Sequence, residues 1–347
     1  MINKLFGKFR KDLGIDLGTA NTLVYVQGRG VIINEPSVVA VNTRTEQILA
    51  VGNEAKEMLG KTPPHILTTR PLVNGIISDF EVTEKMMRYF FDKVFDGSRS
   101  FLSRPRVVIG TPLNITEVER KAINDAAMNA GAKEVHVIEE AMASAIGSRM
   151  PIKEPVGNFI VEIGGGTCEI AVISLGGVVT WKSLPVAGDE FNRNIIQYAR
   201  DNFNLLLGEK QAEEIKVKIG SAVELTEGMQ FPMRGRDLVS GLPKEIMISD
   251  AHVREAISKS LKTIVDNIKE TLETTPPELV ADIHERGLLV SGGGALLRGI
   301  DELIYRATQI PVRIADDPLT SVARGAGMLL DEPELLAEVV VRPEERT

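Results

Sequence analysis

Two short stretches of the chain share one outline. In "GIDLGTANT" (14–22) and in "VEIGGGTCE" (161–169), an apolar strand-like run delivers an acid, Asp16 or Glu162, into a glycine turn followed by small hydroxyl, amide or thiol residues. The two stand roughly one domain length apart, and each leads into a second apolar run. A chain that repeats strand, acid, glycine turn and strand is constrained to two similar halves, each opening on a β-hairpin. Its 347 residues suffice for both halves, because ordinary domains run to about 100–200 residues.

Strand-like and helix-like segments alternate along the whole chain, which is an α/β pattern. "LGIDL" and "TLVYVQGRGVIIN" read as hairpin-paired strands, and "RVVIGTP" (106–112) and "EVHVIEE" (134–140) as short strands. Between the last two, "ITEVERKAINDAAMNAG" reads as a helix: Thr116 caps it, Val118, Ala122 and Ile123 recur at helical spacing, and Gly131 stops it. Beyond residue 150, "GNFIVEIGG", "CEIAVISLGGVVTWKSLPV" and "GLLVSGG" supply strands. "EFNRNIIQYARDNF", "EKQAEEIKVKIG" and "SDAHVREAISKSLKTIVDNIKETLE" supply helices, the last ended by the prolines of "TTPPELV". "MPIKEPVGN" (150–158), rich in Pro and Gly, is the expected boundary between the halves.

Composition narrows the function. Hydrophobic residues are 43% and charged residues 25% of the chain, which is neither a disordered nor a membrane-spanning balance. No apolar run approaches the ~20 residues of a transmembrane helix. The first dozen residues lack the unbroken apolar core of a secretory signal, and the single cysteine, Cys168, cannot form an internal disulfide. A cytoplasmic protein is expected. The net charge of −8 argues against a general nucleic-acid binder, whose affinity comes from clustered Lys and Arg. The histidines (65, 136, 252 and 284) lie far apart, without metal-ligand spacing.

A glycine turn leaving a strand lets backbone N–H groups converge on an anion, where a Cβ would block close approach. An acid beside it cannot bind phosphate directly, but it can hold a hydrated Mg²⁺ that bridges to phosphate oxygens. On this reading Asp16 and Glu162 are outer-sphere metal carboxylates. Thr19, Ala20 and Asn21, together with Gly164, Gly165 and Gly166, are the phosphate clamps. Taken singly, each turn is equally a tight hairpin beside a solvated acid. A third turn shifts that balance: "LLVSGGGALLRGI" (288–300) is an apolar strand entering glycines and expected to open an amphipathic helix through Ala295, Leu296 and Leu297. As a GxGxxG-like element it is weak, because no acid is clearly placed about 20 residues on. As the adenosine site of a nucleotide already held by two phosphate turns, with Gly292, Gly293, Gly294 and Ala295 in contact, it accounts for all three.

The ordered set "IDLGTANT", "EIGGGTCEIAVIS" and "VSGGGALLRG" resembles the phosphate-1, phosphate-2 and adenosine motifs of the actin, Hsp70 and sugar-kinase superfamily. "GVIINEPSVVAV", "AVGNEAKEMLGKTP", "RPLVNGIISDFEVTEKM", "VIEEAMASAIG" and "TPPELVADIHERG" extend the resemblance, along nearly the whole chain, to the MreB family of bacterial actin homologues. The resemblance implies an actin-like α/β fold of two lobes closing on ATP and Mg²⁺, each with a duplicated ribonuclease-H-like core and a smaller inserted subdomain. The lobes would be residues 1–150 with about 322–347, its insert at about 33–68, and residues 151–321, its insert at about 183–246. The resemblance also implies polymerisation into homopolymer filaments on the inner face of the cytoplasmic membrane, where such proteins work with membrane-spanning elongation proteins to direct cell-wall growth and rod shape.

It further implies slow hydrolysis of ATP to ADP. The family's water-orienting glutamate falls on Glu140 and a helping hydroxyl on Thr167. A competing role for Glu140 is helix-dipole stabilisation in a first turn, worth about 0.3–1 kcal/mol. Two motifs depart from the family pattern, at three positions: Glu162 stands for its aspartate, with Cys168 for a threonine, and Ala141 follows Glu140 where a proline is usual. A longer acid displaces a metal-bound water, and a misplacement of ~1 Å can cost ~10²-fold in rate. "GEKQAEEIKVKIG" (208–220) is similar to the helix that lines the family's adenine pocket. It sets Glu213 and Lys216 one turn apart on one face, to bracket base and ribose or to form an ordinary ion pair. Gln211 and Glu214 depart from the family pattern.

"MINKLFGKFRK" has an interfacial pattern. At about 100° per residue, Ile2, Leu5, Phe6 and Phe9 fall on one side and Lys4, Lys8 and Lys11 on the other. A lone helix this short is marginal in water and orders where its apolar face enters lipid. In "SRSFLSRPR" (98–106), Phe101 and Leu102 sit between arginines, like the family's membrane-insertion loop. A frayed terminus and a packed turn cover are the competing readings. Rival functions are a sugar or acetate kinase, against which no clear acceptor-binding aspartate is present, and an Hsp70-type chaperone ATPase, which needs a further substrate domain. A third is a non-hydrolysing filament that Glu162 keeps open.

Overall fold

The computed structural model describes residues 12–95 and 104–341. The expected membrane residues Ile2, Leu5, Phe6, Phe9, Phe101 and Leu102 lie outside these. The described chain divides into two compact units. One holds the residues up to Val156, Ile173–Val179 and the residues from Leu319 onward, and the other holds Gly157–Val172 and Thr180–Pro318.

The first unit is built on a five-stranded sheet. Its strands are β1 (Leu13–Leu17), β2 (Asn21–Val26), β3 (Gly30–Pro36), β9 (Arg106–Thr111) and β10 (Glu134–Glu139), in the order β3-β2-β1-β9-β10. β1 runs antiparallel to β2 and parallel to β9, which in turn runs parallel to β10. Helices Phe80–Val94 and Glu117–Ala130 connect the strands and supply the core. In the first, Asp79 caps the N-terminus by accepting from Val82 N, and Met86, Met87, Phe90, Phe91 and Val94 recur at helical spacing to form the buried face. In the second, Thr116 and Glu119 form a reciprocal capping box and Gly131 ends the helix in the left-handed region. These faces pack on Leu13, Ile15, Val107 and Ile109.

Helices Glu140–Gly147 and Ser321–Leu329 cross with their backbones nearly touching. A Cβ on Gly325 would stand 1.8 Å from Ala143 O, and one on Gly147 2.0 Å from Ser321 O, so only glycine permits this approach. A second sheet, of β4 (Val39–Asn42), β5 (Ile48–Val51) and β6 (Ile66–Thr69), carries helix Asn53–Met58 on a small core of Val38, Ala40, Ala50 and Ala55. Between that sheet and helix Phe80–Val94 lies a hairpin of β7 (Leu72–Val73) and β8 (Ile76–Ile77).

The second unit repeats the plan. The large sheet runs β13-β12-β11-β17-β18, from β11 (Asn158–Ile163), β12 (Cys168–Ser174), β13 (Gly177–Leu184), β17 (Leu288–Ser291) and β18 (Val312–Ile314), its β12–β13 connection Ile173–Val179 being the piece counted with the first unit. β11 and β12 are joined by a short turn that only antiparallel neighbours allow. β11 runs parallel to β17, and β17 parallel to β18. Third, second and first strands followed by two parallel strands is also the order in the first unit. Two acids at penultimate strand positions keep that equivalence, Asp16 in β1 and Glu162 in β11; beside them stand Gly110 in β9 and Ser291 in β17. A small antiparallel sheet of β14 (Leu205–Leu206), β15 (Gln230–Asp237) and β16 (Pro243–Ser249) packs with helix Glu209–Ile219. Helices Gly188–Phe203 and Asp250–Glu273 cover the core of Phe159, Val161, Phe191, Ile257 and Ile264.

One expected element differs. Ala295–Leu297 does not open the helix. Gly293–Leu296 forms a single 3₁₀ turn, Leu297 is extended, and the α-helix begins only at Ile300, after Gly299 at φ 71°. The reason is non-local: Arg298 pairs with Ser221 in an isolated parallel bridge, which holds the backbone extended there. Among the described residues no helix is long and apolar enough to cross a membrane.

Candidate functional site

In the first unit, three parallel strands deliver their carboxyl ends to one edge. Asp16 of β1 pairs in register with Gly110 of β9, and Gly110 with Ile138 of β10. Glu140 follows β10 directly as the first residue of its helix. The outer edge of parallel carboxyl ends is where open α/β sheets bind ligands. Asp16 is half-buried, and the loss of water around its carboxyl pushes its pKa from 3.8 up to about 7. A cation beside it would relieve the cost that burial places on its charged form.

The turn after Asp16 is tight: a Cβ on Gly18 would lie 2.7 Å from Asn21 O. Thr19 is buried, and its Oγ1 accepts from Gly75 N at 2.8 Å, at the tip of the β7–β8 hairpin. Ala20 and Asn21 complete the turn. Glu140 is buried beside β9, with Cγ 3.4 Å from where Gly110 would carry a Cβ. Ala141 is fully buried in the first helical turn. The N–H there has no intrahelical acceptor, so a proline would cost no helical hydrogen bond and the alanine leaves the helix start unchanged.

In the second unit, Gly164, Gly165, Gly166 and Thr167 form the turn from β11 to β12, closed by Gly164 N donating to Thr167 O at 2.9 Å. The first amides of helix Gly188–Phe203 seize this turn: Gly188 N donates to Gly164 O at 3.1 Å and Asp189 N to Gly165 O at 2.8 Å. Ala187 provides no side-chain cap, so the turn's carbonyls serve as the cap. Lys216 Nζ donates to Gly188 O at 2.7 Å, which brings helix Glu209–Ile219 to the same place, with Glu213 one turn earlier. Cys168 is buried, and burial, then the charges of Glu162 and Glu169, push its thiol pKa up; it is inert packing.

The third turn meets the second. Gly292 N donates to Pro318 O at 2.9 Å, and a Cβ on Gly294 would strike Ile163 Cγ2 at 2.3 Å. Gly293 and Ala295 lie in the 3₁₀ turn between them and the Arg298 staple. Arg298 Nη1 donates to Gly220 O at 3.3 Å and Val217 O at 3.4 Å, and Ala222 N donates to Arg298 O at 2.7 Å. A cation on the last carbonyls of helix Glu209–Ile219 also suits the helix dipole. The sequence-expected residues Glu162, Gly164–Thr167, Lys216 and Gly292–Ala295 are thus neighbours within the second unit. Asp16, Thr19–Asn21 and Glu140 sit along one sheet edge within the first. Sequence reasoning gave no role to Ser37, Gly75 or Arg298, although each lies within a quoted family-like stretch, because their partners are distant in the chain.

The chain matches the MreB/Mbl protein family over residues 10–338. It is 47% identical over 328 residues to the cell shape-determining protein Mbl of Bacillus subtilis, covering 94% of this chain and 98% of that one. It is 48% identical over 336 residues to the cell shape-determining protein MreB of Escherichia coli, covering 95% and 96%. Among solved structures it is similar to MreB5 of Spiroplasma citri bound to ADP, with a TM-score of 0.89 at 39% identity over 93% of this chain and 97% of that one. The same protein bound to AMPPNP also superposes with a TM-score of 0.89.

Proposed function

The chain belongs to the MreB/Mbl family, and from that premise we propose that it is an ATP-binding, shape-determining filament protein. One observation carries the nucleotide part: in both units, the equivalent strand of an equivalent sheet ends in an acid running into a glycine turn. The turns Gly18–Asn21 and Gly164–Thr167 bind phosphate oxygens through backbone N–H groups. Gly292–Ala295 takes the adenosine end, with Glu213 and Lys216 beside base and ribose. MreB5, bound in its structures to ADP and to AMPPNP, supports a nucleotide ligand here.

Mg²⁺ enters with the nucleotide in this reading. The raised pKa of Asp16 fits such a neighbour, because a divalent ion relieves the cost of its charged form. Bound Mg²⁺ supplies charge neutralisation at the phosphates. Asp16 and Glu162 would hold Mg²⁺ through water, Glu140 would orient the attacking water, and Thr167 would assist by hydrogen bonding. Hydrolysis cleaves the terminal phosphate and leaves ADP.

The filament part follows from the family, as does work with membrane-spanning elongation proteins. Association with an anionic membrane face is proposed from the sequence of residues 1–11 and 98–106. Electron microscopy and light scattering of the full chain, with and without MgATP and lipid, test the reading. Filaments that form with MgATP and fail in Asp16→Ala support it; no ATP uptake by folded protein overturns it.

A further inference from the structure

The Gly18–Asn21 turn is held by a residue outside its own motif. Ser37 follows β3, 19 positions beyond Gly18, and is fully buried. Its Oγ donates to Gly18 O at 2.6 Å, and its N–H donates to Ala20 O at 3.0 Å. The same Oγ lies 2.8 Å from Thr22 Oγ1. A serine hydroxyl has one proton, and Gly18 takes it, so Thr22 donates to Ser37. The chain of donation runs Thr22 to Ser37 to Gly18.

A trans peptide is planar, with its C=O and N–H directed oppositely. Ser37 draws in the carbonyls of Gly18 and Ala20. The other ends of those two peptide planes are the N–H groups of Thr19 and Asn21, which must face away from Ser37. We propose that Ser37 is a positioning residue that sets the Thr19 and Asn21 amides as donors to the polyphosphate of a bound nucleotide. This rests on reading Gly18–Asn21 as a phosphate turn.

The backbone around Ser37 is itself fixed, as a preorganised donor pair requires. Val38 N donates to Pro36 O at 2.8 Å and Gly52 N to Val38 O at 2.9 Å. Glu35, buried two residues earlier, is ion-paired to Lys93. Alanine at 37 keeps the main-chain bond but removes the donor to the part-buried Gly18 carbonyl and frees its peptide plane to rotate. An unmade hydrogen bond of that kind is worth about one order of magnitude in affinity.

Calorimetric titration of the full chain with MgATP and with AMP, each carried to millimolar concentration, tests the proposal on wild type, Ser37→Ala and Ser37→Cys. Ser37→Ala is expected to lose MgATP affinity on the order of tenfold while AMP affinity changes less than about twofold. Ser37→Cys, nearly isosteric with a weak donor, should fall between and serves where the alanine variant does not fold. Unchanged MgATP affinity in a folded variant overturns the proposal, and so does a parallel loss of ATP and AMP, which marks Ser37 as packing alone. A wild-type protein that takes up no MgATP overturns the phosphate-turn reading itself, a result distinct from both.

Discussion

Glu162 Oε1 lies 2.3 Å from the point a Cβ on Gly292 would occupy, beside the register pair Glu162 and Ser291 of two neighbouring parallel strands. The carboxyl uses space that only glycine leaves open. Gly292 also has φ 78°, and its Cβ would meet Ile163 O at 2.4 Å, a backbone atom that cannot swing aside. Gly292→Ala should therefore destabilise the fold by roughly 1–3 kcal/mol from backbone strain and overpacking. Adding Glu162→Asp should not restore stability, because the clash with Ile163 persists. Chemical denaturation checks both, and a change within about 0.5 kcal/mol for the single variant contradicts the account.

The same packing bears on rate. Glu162 reaches one methylene farther than an aspartate and is nearly sealed, at 5% exposure, so its carboxyl cannot slide back without leaving a void. Glu162→Asp is expected to bind MgATP within a few-fold of wild type and to hydrolyse it faster, by up to about tenfold, within the ~10²-fold that a 1 Å misplacement can cost. Quench-flow single-turnover rates measure this directly. Equal rates would refute the idea that the longer acid at 162 slows hydrolysis.

The proposed function gives Glu140, buried at 6% exposure in the first turn of its helix, a role in chemistry besides any on the helix dipole. Glu140→Gln keeps the shape and hydrogen-bonding reach and removes the charge. The expected result is a single-turnover rate lower by about 10²-fold, typical for a lost acid–base or water-orienting group, with MgATP affinity within about threefold. A variant that hydrolyses at the wild-type rate assigns Glu140 to structure.

How far the residues announced this arrangement depends on the range of the interaction. Thr116, Glu119 and Gly131 act within one helical turn, and their cap, box and stop are readable from spacing. The acid and glycine turns after β1 and β11 are local as well. Ala295–Leu297 was not readable, because a helical pattern there is overruled by the bridge between Arg298 and Ser221. Ser37 was hidden for the same reason: a lone serine between Pro36 and Val38 is unremarkable until folding sets it against Gly18 and Ala20.

Lys93 ties helix Phe80–Val94 to Glu35, just ahead of Ser37, and also lies 5.8 Å over the Tyr89 ring. The hydrogen bond to Glu35 raises its ammonium above the ordinary 10.5, with burial opposing. A base raised in the folded state stabilises fully below its unfolded value and loses that contribution as pH climbs through the folded value. Stability should thus fall above about pH 10.5 more in wild type than in Lys93→Met. The side chain is half exposed, so the difference stays below about 1 kcal/mol. Denaturation midpoints between pH 8 and 11.5 check the sign; parallel curves reject the pairing.

The proposed membrane adsorption is testable separately from polymerisation. The chain carries a net charge of −8, which repels an anionic surface, so adsorption has to come from the apolar and basic segments. Each Phe or Leu fully buried in lipid contributes ~1.5–3 kcal/mol before ordering costs, which makes one copy weak and a filament's row of copies strong. Deleting residues 2–9 and changing Phe101 and Leu102 to Ser should abolish co-sedimentation with anionic vesicles, while ATP binding stays unchanged. Neutral vesicles should retain less wild-type protein, because the basic residues then find no headgroup charge. Undiminished pelleting of the variant under non-polymerising conditions would show that adsorption arises elsewhere on the surface.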